Sequence, residues 1–374
     1  MSANDSLDFE DGDVVLALAK RKYRVHKAIL SQKSSVFAEM LAAPPQPKSP
    51  VYNRLASGRP ASMRFNFESI EKQMQYAALP TLQLHDKHEP FTLFLHALYD
   101  DPLHIYFPKL AKNTMFLISA VMDLVDKYNV SQTEMRMKFF PFIEQDWPTT
   151  LAAWDENELF VQHLKEELEK SSQLEMLDEK LPEPASILRF AHAYTLKAQV
   201  VQEVPSYIPA ALYHLSRLPP YADPDDMERH GHDVEEGMRT AKRTFLSHQD
   251  FVCLHHGIYN LHLAASRIAF VDFPREAEKF AGVPASEKKA MELWWRSAGM
   301  KSLLGPDRMD LLAELRDLME ALGEQETDDR DVAILRQGTN RPYRNAMRGY
   351  LKRERENLWK SLAEHFSLNT FFYR

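Results

Sequence analysis

Cysteine is almost missing from this chain: Cys253 stands alone among 374 residues. One thiol forms no intrachain disulfide and supplies no multi-cysteine zinc site. Glycine is scarce too, 11 residues in all, so the chain is poor in the close backbone approaches that cofactor loops require. The sequence contains no Gly-x-Ser-x-Gly elbow, no phosphate loop, no dinucleotide fingerprint and no His-Glu-x-x-His zinc motif. No apolar run reaches the roughly 20 residues of a spanning helix; the most apolar stretch, Thr114 to Val125, already holds Asp123. Met1 to Asp13 is acidic, without a basic n-region or apolar h-region, so a secretory leader is not expected and the sequons at Asn4 and Asn129 are read as chance. Positive charge is not in excess: 46 basic against 54 acidic residues leave a net charge of -8. That balance opposes a general grip on nucleic-acid phosphates. The expected location is intracellular, cytoplasmic or nuclear.

What is present is ordinary globular material, 44% hydrophobic and 27% charged, in a chain long enough for two domains. Asp13 to Ala19 is a continuous apolar run short enough for a buried strand, and Tyr23 to His26 alternates at period two. A helix is predicted at Lys27 to Leu30. Ser34 is placed to cap the next one, whose Phe37, Met40 and Leu41 fall on one face before Pro44-Pro45 stops it. Ala42 to Ser62 holds five prolines, three basic residues and no acid, a composition expected of a mobile surface insertion. Thr81 to Leu84 reads as a short strand, and Phe91, Phe94, Leu95, Leu98 and Tyr99 as the apolar face of an amphipathic helix opening near Pro90. Residues 113 to 128 carry Leu117, Ile118, Val121, Leu124, Val125 and Tyr128 in helical register. Ser131 with Glu134 predicts a capping box for a helix running toward Trp147-Pro148.

The string Phe9, Asp11-Gly12-Asp13-Val14-Val15-Leu16, Tyr23-Arg24-Val25-His26-Lys27-Ala28-Ile29-Leu30 and Ser34-Ser35-Val36-Phe37-Ala38-Glu39-Met40 resembles the start of a BTB/POZ domain. The resemblance implies an α+β BTB/POZ domain over residues 8–147, with the proline-rich insertion at 42–62, followed by an all-α helical domain over 148–374. It also implies a protein-interaction module with no chemistry of its own. Asp13 and Lys27 look like the two ends of the family's charged pocket. They are read either as a surface that orients a partner or as a local pair that caps the helix after His26. Asp100-Asp101-Pro102-Leu103 lies where family members that recruit a cullin place part of their contact. The hydrophobic-x-Glu signature of such adaptors is missing there, which leaves Leu98, Tyr99, Asp100 and Asp101 as a variant contact. Only about ten residues precede the first strand, too few for a stable leading helix, so a strand-swapped homodimer is disfavoured.

Beyond Pro148 the pattern is helical, with segments near 156–170, 184–203, 207–217, 233–247, 249–272, 285–301, 307–322 and 341–365. Ala211-Leu212-Tyr213, Phe251 with Cys253, and Trp359, Leu362 and Phe366 resemble the helical region that follows the BTB domain in expanded families of mushroom-forming fungi. His230-Gly231-His232 sits in an acidic stretch read as a solvated loop rather than a metal site. Glu166, Glu167 and Glu169 are read as a wet helix face, as are Arg341, Arg344, Arg348, Lys352, Arg353 and Arg355. One ring of Trp294-Trp295 is assigned to the core, and Phe371-Phe372-Tyr373 either packs back on the helices or docks a partner.

The function expected is therefore a non-enzymatic adaptor or scaffold, with a cullin or another BTB protein as partner. A substrate adaptor for a cullin-type ubiquitin ligase is one version. A BTB-containing transcriptional regulator acting through recruited partners is the alternative, and an enzyme in the helical half a third. No cofactor, metal, nucleic acid or membrane is expected.

Overall fold

Four consecutive apolar residues make β1 (Val14–Ala17), and each of them is buried. A strand apolar on both faces belongs in the middle of a sheet, and that is its place: β1 pairs antiparallel with β2 (Lys22–Val25), Val14 opposite Val25, and parallel with β3 (Thr81–Gln83), Val15 opposite Thr81. The molecule is known from a computed structural model that describes residues 7–19, 21–42, 76, 78–174, 177–196, 205–220, 222–223, 238–270, 283–305, 310–323 and 329–371. The insertion at 42–62 beyond Ala42, His230-Gly231-His232, and the side chains of Phe371, Phe372 and Tyr373 lie outside the described residues. Two compact units divide the chain: Met1–Lys109 with Asn113–Phe142, and Leu110–Lys112 with Ile143–Arg374.

In the first unit the sheet leads into α1 (Lys27–Lys33) and α2 (Ser35–Ala42). Ser34 Oγ accepts from the Phe37 amide at 3.0 Å, as the cap reading predicted, and donates to the Tyr128 carbonyl. After β3 come α3 (His88–Leu98), α4 (Thr114–Lys127) and α5 (Gln132–Asp146). Phe37 stacks on Tyr128 with centroids 4.4 Å apart, and Phe94 and Phe91 close on the same ring. Each such buried ring removes enough apolar surface to contribute on the order of 2–3 kcal/mol. Two expectations change here. Helix α3 is not amphipathic: every residue from Pro90 to Leu98 is buried, because it runs as the unit's central rod. The capping box is half formed: Glu134 N–H faces Ser131 Oγ at 3.4 Å, while the Glu134 carboxylate is held by Lys33 at 2.7 Å and Lys138 at 3.0 Å.

The second unit is mostly helical over its described length. It comprises α6 (Leu151–Lys170), α7 (Leu177–Lys180), α8 (Ser186–Phe190), α9 (Ile208–Ser216), α10 (His248–Ala269), α11 (Ala285–Trp294), α12 (Met300–Leu304), α13 (Leu311–Ala321), α14 (Arg330–Gly338), α15 (Arg341–Lys360), α16 (Leu362–His365) and α17 (Leu368–Phe371). The helix predicted at 184–203 is short, passing after Phe190 into a π-helical stretch, Ala191–Leu196. Residues 238–242 of the segment predicted at 233–247 are not helical. Two of their amides are taken by side chains, Thr240 N–H by Asp178 and Lys242 N–H by Glu183 at 2.9 Å, and that of Ala241 by the Ala222 carbonyl; only a 3-10 turn, Arg243–Phe245, follows. The helix predicted at 285–301 widens into a π turn, Trp295–Gly299, where Trp295 Nε1 donates to the Ala269 carbonyl at 2.9 Å. Both Trp294 and Trp295 are buried, where one ring was expected. Helix α14, unmarked in the sequence reading, adds a further correction.

The basic face of α15 is also corrected. Arg344 and Arg355 are buried: Arg344 Nη1 donates to the Thr339 carbonyl at 2.6 Å, and Arg355 Nε to that of Leu312 at 2.8 Å while its fork grips Asp155. Helix α10 meets α16 so closely that a Cβ on Gly257 would lie 1.9 Å from the Phe366 ring. No helix among the described residues is long and apolar enough to cross a membrane.

Candidate protein-interaction site

Asp13 closes the start of α1. Its Oδ1 accepts from the Lys27 amide at 2.7 Å, supplying from the adjoining strand the cap that His26, at the N-cap position, does not make with its own side chain. Lys27 thus enters the contact through its backbone. The His26 amide donates to Tyr99 Oη at 2.8 Å, and His26 Nδ1 lies 3.1 Å from the same hydroxyl. Since the phenol oxygen already accepts from the amide, its hydrogen is available to Nδ1, and with the ring neutral the proton sits on Nε2, facing Asp11 Oδ1 at 3.1 Å. The hydrogen bond from His26 holds the Asp11 carboxyl below its usual value. Burial, with Asp13 and Asp11 nearby, pushes the Tyr99 phenol up to about 12. Phe9 stacks on Tyr99 at 4.8 Å and leans on His26 at 4.9 Å.

The same tyrosine ends α3, where the second candidate group begins. Leu98 is 1% exposed and packs into the core, so it anchors the helix end and presents nothing to a partner. Asp100 takes φ 58°, a left-handed conformation that aspartate tolerates, and its exposed carboxylate pairs with Lys138 Nζ at 2.6 Å and lies 3.9 Å from Lys33. Lys138 also donates to the Ala97 carbonyl at 2.6 Å, a cation on the last carbonyls of α3. Asp101 Oδ2 meets His96 Nδ1 at 2.8 Å, and His96 Nε2 meets Tyr106 Oη at 2.7 Å. His96 is buried, and the acid on one nitrogen with the phenol on the other fixes the segment 99–106 to the helix. At its tip Ile105 is 54% exposed. Asp13, Lys27 and Tyr99 therefore share one corner, and Asp100 and Asp101 a neighbouring loop. The sequence reading missed His96, Lys138 and Tyr106; the available signal was a histidine inside an otherwise apolar helix, five residues before an aspartate.

In the helical unit, Ser247, His192 and Asp250 gather, but not as a nucleophile with its base. Asp250 and Ser247 both face Nε2 of His192, at 2.9 and 3.5 Å, whereas a catalytic histidine bridges acid and nucleophile through different nitrogens. Ser247 and Asp250 form the capping box of α10. Among the described residues no group of three or more His, Cys, Asp or Glu is placed to hold a metal.

The chief polar construction there is internal. Arg217 spans Glu158, with both contacts at 2.9 Å, and Asp310, and lies 4.8 Å over the Trp154 ring. Tyr213 Oη donates to Asp310 at 2.7 Å and accepts from the Leu312 amide. Burial alone would lower the Arg217 pKa, and Asp310 with Glu158 raises it instead; burial, then the Arg217 charge, drives the His214 pKa well down. Such an array positions helices α6, α9 and α13.

Residues 6–55 match the family model of the BTB/POZ domain, a span that includes β1, β2, α1, α2 and the Asp13 cap. No curated protein matches the chain, and no solved structure does. The class defined by this small sheet with its helices is a protein-interaction module. The chain carries an N-terminal BTB/POZ domain followed by a mostly helical remainder.

Proposed function

We propose that the protein is a non-enzymatic adaptor or scaffold whose BTB/POZ domain, residues 8–147, docks a partner along the segment 99–106, while the helical domain, 148–374, binds or positions a second protein. One observation carries this reading: the segment is rigidly tied by His96, Lys138 and Asp100, yet leaves Ile105 exposed. A fixed loop with an apolar tip and acidic flank loses little entropy on binding. The corner of Asp13, Lys27 and Tyr99 supports the loop from behind. A cullin scaffold is the partner this reading favours. Purified full-length protein mixed at micromolar concentration with each cullin amino-terminal domain is expected to form a complex with one of them, weakened at least tenfold by Ile105→Asp. Failure to recover any cullin ends the ligase-adaptor version, and retained binding by Ile105→Asp moves the contact elsewhere.

A further inference from the structure

Helix α10 of the helical unit turns Gly257, Leu261, Ala264 and Ile268 into the core, and its outer face is apolar as well. Tyr259 is 63%, Leu263 45% and Phe270, at the C-cap, 69% exposed. With Ser266 they follow one another at spacings of four, three and four residues, which makes one stripe along the helix in the pattern of a coiled-coil seam. Beside the stripe a cavity of about 680 Å³ is lined by Leu263, Ser266, Arg267 and Phe270 and, from α16, by Glu364 and His365. Asn260 Nδ2 donates to the His365 carbonyl at 2.7 Å. That bond holds this end of α16 at the level of Asn260, about two helical turns from Arg267. Arg267 and Glu364 are both exposed, and neither forms an ion pair with the other or with another described residue.

We propose that this face pairs with the same face of a second copy of the chain, the two α10 helices packing antiparallel about a twofold axis between Ala264 and Ala265. The stripe is symmetric about that point: Tyr259 meets Phe270 of the second copy, and Leu263 lies opposite its Ser266. The flank toward α16 faces the same flank of the second copy, so Arg267 approaches the second copy's Glu364 and Glu364 its Arg267. One cation and one anion set on opposite sides of the axis match in an isologous contact. A partner of single charge would leave one of them opposed. Burial of the aromatic and aliphatic side chains supplies the attraction, and the two ion pairs at the rim fix the register. The pairing needs no strand exchange and does not involve the segment 99–106, so its test and that of the cullin contact fail separately.

The test is sedimentation of the full-length protein across the micromolar range, where a reversible monomer–dimer equilibrium is expected. Leu263→Asp and Phe270→Asp are each expected to weaken the dimer at least tenfold; both side chains are exposed, so thermal melts matching the wild type keep the comparison interpretable. Arg267→Glu and Glu364→Arg each place like charges against each other across the axis and are expected to weaken it several-fold. Mixed in equal amounts, these two variants regain both ion pairs, and a dimer of one copy of each is expected to form as tightly as the wild type. That rescue would not arise if either residue only supported the fold of its own chain. A chain that stays monomeric throughout the range overturns the proposal, as does a dimer indifferent to Leu263→Asp and Phe270→Asp, or a mixture no tighter than its two components alone.

Discussion

At the scale of single residues, Tyr99 joins three stretches of chain. Its hydroxyl accepts the His26 amide and serves His26 Nδ1, and its ring carries Phe9. With the phenol raised to about 12, it remains a protonated donor throughout the neutral range. Tyr99→Phe keeps the ring and deletes the hydroxyl, stranding a partly buried amide. The expected loss is about 1–2 kcal/mol, read as a lower urea midpoint at unchanged slope; an unchanged midpoint would mean that water replaces the hydroxyl. Tyr99 was marked in the sequence as a partner contact, but its bonds to His26 were not legible, since the two residues are 73 positions apart. Asp13 and Lys27 were marked as a pair, and the contact between them runs through an amide that no side-chain pattern reveals.

At the scale of elements, the loop after α3 is held by charges from α1 and α5. The hydrogen bond from Lys33, then that from Lys138, keeps the Glu134 carboxyl below its ordinary 4.5, and the same carboxylate raises Lys33. A carboxyl whose folded pKa lies below its unfolded one contributes stability above the unfolded value and loses it as pH falls through the folded value. The melting temperature of the wild type should therefore fall more steeply than that of Glu134→Gln on acidification from about pH 5 to pH 3. At neutral pH the two differ by no more than about 1 kcal/mol, because the cluster is partly exposed. Parallel melting curves across that range would show the latch to be idle. Ser131-x-x-Glu134 reads locally as a capping box, but two lysines from the fold outcompete the box for the carboxylate. Helix α3 has the same lesson: its apolar spacing predicted a helix correctly, and its burial on all sides depended on neighbours brought in from elsewhere in the chain.

At the scale of the whole molecule, the helical unit is organised around ion pairs as well as apolar contacts. Arg217→Met removes the cation that bridges Glu158 and Asp310, and stripping it from two partly buried carboxylates is expected to cost about 3–5 kcal/mol. Urea unfolding measures it, and 1 M salt should not erase the difference, since buried charges are screened little. A loss under 1 kcal/mol, or one that vanishes in salt, would mean that water enters and replaces the guanidinium. The periodicity of α6, α9 and α13 located helices, but it gave no sign that Arg217 and Asp310, 93 residues apart, would meet. Likewise Arg344 and Arg355 lie at spacings that suit a wet face, and the tertiary packing turns both inward onto carbonyls and an aspartate.

The sequence by itself determined the module and most of its elements. Residues 9 to 40 hold an apolar strand, an alternating strand, a serine cap and a helical face, all local patterns set by steric and hydrophobic periodicity. Only the tertiary structure decided which charged groups are internal struts and that α3 is buried on all sides. Those features depend on contacts between residues far apart in the chain, and local periodicity carries no record of such distances.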